Sequence, residues 1–255
     1  MRQTLVSGSP EQRHSAQRLS PTLVAAMHSS WQDFFSAIMT QRKVKAFPST
    51  SNTRYGSYCN AAIEILANLN LYCDFLGKLR NSKGQMVFTN LEKNISDALH
   101  NDATLSDLAV LALYRMSISI PCMACVRVPN TNHLDLGPMH QDLKTFIQLL
   151  INNPSPVLGP GAADTAAGVF GGGSWSRPKA LQLKHRLHNT GLLVNVPTLW
   201  AIFLAGALAT WEHFTVEFAA DSLIASMLPD KQCKWWMPAT NNLNKGALGS
   251  LHVMF

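Results

Sequence analysis

Charge is what this sequence has least of. Aspartate, glutamate, lysine and arginine together make up 14% of its 255 residues, against about 25% in a typical soluble domain. A surface so poor in charge is built from Asn, Ser, Thr, Gln and backbone, and it favours association. The motifs of nucleotide and acyl chemistry are missing too. No set of glycines reads GxGxxG or GxxxxGK[ST], and Gly168-Val169-Phe170-Gly171-Gly172-Gly173 has neither the spacing nor a preceding strand, so a phosphate cradle is not expected. No GxSxG elbow is present, which leaves a serine hydrolase without support. The almost uncharged stretch Leu199 to Thr210 is short for a membrane span, covering about 18 Å of the roughly 30 Å hydrocarbon core of a bilayer. Asn195, Pro197, Glu212 and His213 bracket it, and it is expected to be a buried helix and not a span. Strand signals are confined to Met86 to Phe88 and Val126 to Val128, so little or no β-sheet is expected. There is no internal repeat and no heptad pattern.

The chain is long enough for one large or two small domains, burying roughly three quarters of its unfolded surface. Its net charge of +6 and isoelectric point near 9.2 are compatible with a polyanionic partner and do not require one. The five cysteines, Cys59, Cys73, Cys122, Cys125 and Cys233, are odd in number and scattered, as expected of reduced thiols inside a cell. Met1 to Ser20 is rich in Ser, Gln and Arg without a continuous apolar stretch, and residues 1–19 are read as a disordered arm with neither signal peptide nor anchor.

Helical signals dominate the rest. Ser20-Pro21 supplies a cap and a first-turn proline for a helix whose apolar stripe runs from Leu23 to Met39 and ends in the basic run Gln41 to Lys45. That run suits the carboxyl end of a helix dipole, with contact to nucleic acid as the other reading. The next helix is expected from about Ser57 to Leu79, with Asn68 and Asn70 as points of interruption. Thr89-Asn90-Leu91-Glu92 matches a capping box, and Thr104 with Asp107 opens a helix over Leu105 to Ile120 that is apolar on most faces and closed by Pro121. A helix from Pro138 to about Ile151 follows. Together, residues 20–153 form an amino-terminal helical region. Residues 154–175, with Gly159-Pro160-Gly161 and Gly171-Gly172-Gly173, read as a long loop or linker. In the carboxyl-terminal helical region, residues 176–255, Ser176-Arg177-Pro178 restarts helix. Pro197 then leads a long helix through Phe218, and a short one covers Asp221 to Leu228.

Few residues point to chemistry. Cys122-Met123-Ala124-Cys125 is a lone CxxC, and His133 and His140 sit at spacings that match no common zinc finger, so buried thiols are expected and no metal. Asp135, Glu212, Glu217 and Asp221 are the carboxylates to weigh for two-metal phosphoryl transfer, which needs three of them to converge. Glu212 and Glu217, five positions apart, lie roughly 140° from one another on a helix. Solvated carboxylates and helix caps are the plainer reading. Trp235-Trp236, beside Lys231 and Lys234, reads either as a packing anchor or as a platform for stacking on bases.

Six blocks in order carry a resemblance: "SNTRYGSYCNAA" (51–62), "FTNLEKNI" (88–95), "LSDLAVLALY" (105–114), "LDLGP" (134–138), "TWEHFTVEF" (210–218) and "WMPATNNLNKGALGS" (236–250). Together they resemble a multi-copy family of uncharacterised fungal proteins derived from DNA transposons, similar to hAT-like transposases with an RNase H-like core. The resemblance covers about residues 49 to 252. It implies a multi-helix array like the helical insertion of such an enzyme, leading to its last catalytic element. That element usually reads Thr-Asn-Asp-x-Asn-Glu-Gly-Ala-Leu-Gly, similar to the motif that supplies the third carboxylate in DDE transposases. Here Asn242 stands where the Asp is usual and Lys245 where the Glu is usual. An ammonium repels the divalent ion that a carboxylate would hold.

The resemblance therefore implies a truncated, catalytically inactive remnant with no cofactor, no catalytic residue and no small-molecule substrate. What it retains is weak DNA binding or self-association, with no membrane as partner, in an intracellular or nuclear setting. Arg42, Lys43, Lys45, Lys231, Lys234 and Lys245 are then the candidate DNA contacts. A helical protein-interaction scaffold with no role in nucleic-acid binding is the alternative.

Overall fold

Asn68 breaks the first long helix, one of the two points of interruption foreseen in its sequence. The computed structural model describes residues 57–83, 89–176 and 194–240, which all fall in the second of the chain's two compact units, Pro48–Phe255. The arm over residues 1–19, the helix over Leu23 to Met39, the strand at Met86 to Phe88 and the helix restart at Arg177-Pro178 lie outside the described residues. So do Arg42, Lys43, Lys45, Lys245 and the rest of the closing motif beyond Thr240.

Helix α1 spans Ser57–Ala67 and α2 spans Leu69–Lys83. Between them the Asn68 side chain donates to the Glu64 carbonyl at 2.9 Å, a bond back to the preceding turn that competes with the helical ladder. Helix α3, Asn90–Leu99, opens with the expected capping box. The Thr89 hydroxyl accepts from the Glu92 amide, and the Glu92 carboxylate accepts from the Thr89 amide at 2.9 Å.

The central helix starts earlier and ends later than its sequence pattern implies. Helix α4, Asp102–Tyr114, is capped by Asn101, whose side chain accepts from the Thr104 amide at 3.0 Å. It then continues through a π turn, Arg115–Ser119, into α5, Ile120–Val126. Pro121 was expected to close this helix and does not. In the π turn the Ile120 amide donates to Arg115, five residues back. The wider turn moves aside the carbonyl that a proline ring would strike, and the missing N–H of Pro121 falls in the first turn of α5. Arg115 fastens the wide turn, donating to Ser119 at 2.7 Å and to Asn60 of α1 at 3.1 Å. Val126 thus belongs to a helix end, and the strand expected over Val126 to Val128 is absent.

Helix α6, Gly137–Asn152, follows a 3-10 turn at His133–Leu136, and α7, Ser155–Leu158, follows closely. The Gly- and Pro-rich stretch beyond it is loop by backbone, broken by 3-10 turns at Ala162–Asp164 and Phe170–Gly172. It is nonetheless tied to the helices. Val157, Ala162, Val169, Phe170 and Trp175 are buried. The Trp175 indole donates to the Ala162 and Thr165 carbonyls at 2.9 and 3.0 Å, and the Ser117 hydroxyl in the π turn donates to the Gly168 carbonyl. At Gly168 a Cβ would strike the Pro156 carbonyl and come within 2.7 Å of the Trp175 ring.

Helix α8, Val196–Phe214, carries Pro197 in its first turn and gives way to a 3-10 turn at Val216–Phe218. The helix expected over Asp221 to Leu228 is a run of turns. There the Ser222 hydroxyl accepts from the Ala225 amide at 3.1 Å and the Ser226 hydroxyl donates to the Leu223 carbonyl at 3.1 Å, side-chain bonds that displace the helical ladder. The last described helix, α9, is Pro229–Lys234.

Among the described residues the fold is all-helical, without a sheet; one isolated antiparallel bridge joins Asn132 to Pro238. Helix α4 packs against α1, α3 and α8, and α8 also packs on α6. Leu105, Val110 and Leu113 of α4, Leu143, Ile147 and Leu150 of α6, and Trp200 and Leu204 of α8 meet in the interior. The spacing of Leu143, Ile147 and Leu150 places them on one face of α6. Burying each such side chain contributes about 1.5–3 kcal/mol. The α4–α5 helix, Asp102–Val126, is long and apolar enough to cross a membrane by length and composition, but it fills the role of a central core helix here.

Candidate interaction surface

Helix α8 was expected to be buried and is buried on one side only. Trp200 and Leu204 are fully enclosed, whereas Ile202 is 65% exposed and Ala205, Gly206, Ala209 and Thr210 face outward with it. From Val196 to Trp211 the helix carries no charged residue, so its outer face is apolar and small. Beside that face lies a groove of about 630 Å³ lined by Tyr114, Ile202, Phe203, Gly206, Trp211 and Phe214, among others. Tyr114 meets Phe203 edge to face at 5.1 Å between ring centres. Burial pushes the Tyr114 phenol above its ordinary value, with the Trp211 side chain working the other way. A second groove of about 630 Å³, between α6 and α8, is more polar, with Gln141, Lys144, Gln148, Asn152 and Glu212 on its walls.

Exposure of large apolar side chains continues past α8. Phe214, Val216, Leu223, Leu228, Trp235, Trp236 and Met237 are all turned outward. The two tryptophans do not anchor a helix end, as one reading of the sequence held: they are 68% and 53% exposed. The anchor is made by backbone and amides instead. Asn132, buried at the start of the 3-10 turn, accepts from the Met237 amide at 3.0 Å and from the Leu134 amide at 3.3 Å, and its NH₂ group donates to the Gln232 carbonyl at 3.4 Å. The His133 amide donates to the Met237 carbonyl at 2.7 Å and the Ala239 amide to the Thr131 carbonyl at 3.2 Å. Gln232 completes the clamp, donating to the Leu134 carbonyl at 2.8 Å and to the Asp135 carboxylate at 3.0 Å. Lys231 and Lys234 lie exposed in the last turn of α9 next to the tryptophans. Of the candidate DNA contacts these two fall among the described residues.

Two histidines flank one aromatic ring. Phe218 sits 4.7 Å from the His140 ring and 5.2 Å from the His133 ring, and Trp211 lies 5.6 Å from His140. His140 is buried with its Nδ1 unpartnered. Desolvation holds its pKa below the ordinary value, helped by His133 and Lys144 and opposed by Glu217.

The other sequence candidates disperse. Among the described residues no group of three or more His, Cys, Asp or Glu side chains is placed to hold a metal ion. Asp135 is engaged by Gln232, Glu212 lines the polar groove, and Glu217 and Asp221 are exposed. In the CxxC pair Cys122 is buried and Cys125 exposed, and burial pushes the Cys122 thiol up to about 11, which leaves it protonated and inert as a nucleophile at neutral pH.

Family models, curated proteins and solved structures were each compared with the chain, and none matches. The resemblance to transposon-derived fungal proteins is corrected on that ground. Six short ordered blocks are too little to establish descent when no family, relative or fold supports them. The transposon-derived and transposase-like character falls with it; of the fold that the resemblance implied, the all-helical class without a sheet stands among the described residues, and Lys245 lies outside them.

Proposed function

We propose that the chain is a helical interaction module that assembles with a second copy of itself through the outer face of α8. The observation that carries this reading is a helix face without charge from Val196 to Trp211 that is exposed at Ile202, Ala205, Gly206 and Ala209 while its opposite side is locked into the core. Small side chains along its centre allow a second helix to approach to about 8–10 Å. An antiparallel pair centred near Leu208 sets Phe214 of each copy beside Ile202 of the other, next to the groove at Phe203 and Trp211. Such a two-fold contact is self-complementary by construction. The low content of charged residues, 14%, supports the same reading, since few charges have to be desolvated when such faces meet. No catalytic step is assigned to the chain.

Sedimentation equilibrium over a range of protein concentrations tests this. The full chain is expected to dimerise with little dependence on salt, and Ile202→Asp or Phe214→Asp is expected to shift it to monomer while melting like wild type at concentrations low enough for wild type to be monomeric too, because both side chains are exposed. A wild-type chain that stays monomeric at every concentration, or variants that dimerise as well as wild type, would refute the proposal.

A further inference from the structure

The clamp between residues 131–135 and 232–239 fixes a segment whose largest side chains point into solvent. Its backbone is held at Gln232, Met237 and Ala239, so the exposure of Trp235, Trp236 and Met237 does not come from a loose end. Leu228, at the opposite end of α9, is 65% exposed. Lys231 and Lys234 flank the pair, with Asp230 as the single acid in the helix.

We propose that Trp235 and Trp236, together with Lys231 and Lys234, form a peripheral contact for an anionic membrane surface. An indole has an apolar body and an N–H, and is at home at the level of lipid headgroups. Lysines beside it extend their stems along the apolar layer and place their ammonium groups against lipid phosphates and carboxylates. Leu228 and Met237 add aliphatic surface that an acyl boundary accommodates. A single-stranded nucleic acid would use the indoles and the lysines but has no partner for the aliphatic groups. The charge of the chain, +6 overall, complements an anionic leaflet. This contact lies on the surface and spans nothing, and it does not depend on assembly through α8.

Co-sedimentation of the full chain with vesicles tests it. Vesicles of phosphatidylcholine with about one third phosphatidylserine are expected to bind, and vesicles of phosphatidylcholine alone to bind about 10- to 30-fold more weakly, as two lysines near an anionic surface imply. Trp235→Ser with Trp236→Ser is expected to abolish binding to both. Lys231→Gln with Lys234→Gln is expected to erase only the preference for phosphatidylserine. These side chains are exposed, so a circular dichroism melt should match wild type in each variant. Absence of vesicle binding by the wild type, or binding that survives the double tryptophan substitution, overturns the proposal. So does a tryptophan-dependent complex with oligo(dT) in place of vesicle binding, which would assign the pair to base stacking.

Discussion

Asn132→Ala should cost this protein more than its single small side chain suggests. Asn132 accepts from two backbone amides, Met237 at 3.0 Å and Leu134 at 3.3 Å, and donates to the Gln232 carbonyl at 3.4 Å. It is buried, so water does not readily take its place. Leaving a buried donor unsatisfied costs about 1–3 kcal/mol. The buried Leu134 amide bears that cost, while the Met237 amide and the Gln232 carbonyl are part-buried and regain some of their loss from water, giving a loss of about 1–3 kcal/mol. The other clamp bonds, from His133 to Met237 and from Ala239 to Thr131, remain and hold the segment in a loosened form. Urea denaturation should therefore show a lower midpoint. Hydrogen exchange should speed up over residues 228–240 more than over α6. Asn132→Asp keeps both acceptor functions and should lose far less. An Asn132→Ala protein with the wild-type midpoint and unchanged exchange at Met237 would show that the clamp is an incidental contact.

Three further outcomes follow from buried groups. His140 titrates lower in the folded chain than in the unfolded one because of its burial. Stability is therefore full above about pH 6.5, the ordinary histidine value, and declines as pH falls below it, because the unfolded chain takes up the proton first. A urea series from pH 7.5 to 5 should show this slope in wild type and a smaller one in His140→Gln. The Ser106 hydroxyl is buried without a partner, so Ser106→Ala should leave stability unchanged or raise it by about 1 kcal/mol, read as an equal or higher melting temperature. Gly168→Ala should cost about 1–3 kcal/mol by forcing a methyl against the Pro156 carbonyl and the Trp175 ring, seen as a drop in melting temperature.

The helical class, the capping box at Thr89 and the break at Asn68 were legible because each is written within a few residues. The capping box needs only Thr89 and Glu92, and Asn68 acts on the turn directly before it. Asn132 left no such mark. Its main partner, Met237, is 105 positions away, and nothing near Asn132 in sequence distinguishes it from a surface amide. The passage of the helix through Pro121 was hidden for a related reason. A proline after an apolar helix normally ends it, and one of the bonds across the wide turn that spares it runs from Arg115 to Asn60 of α1, far away in sequence.

Helix α8 shows how a pattern can be read correctly and still point the wrong way. Its lack of charge says that both faces are content away from water, and burial within the same chain is the simplest way to satisfy that. Yet α4 and α6 flank only part of its circumference, and Trp200 and Leu204 take all the interior that they offer. The remaining face is apolar with no described element to cover it. A helix exposed to solvent throughout its life would be expected to carry charge at Ile202, Ala205 or Ala209, where substitution disturbs no core contact. The proposed contact accounts for the absence of charge at positions where the described core does not require it, because a second copy of the same face supplies a surface of matching character. If Ile202→Asp proved as soluble as wild type and left the sedimentation profile unchanged, that inference from missing charge would be lost.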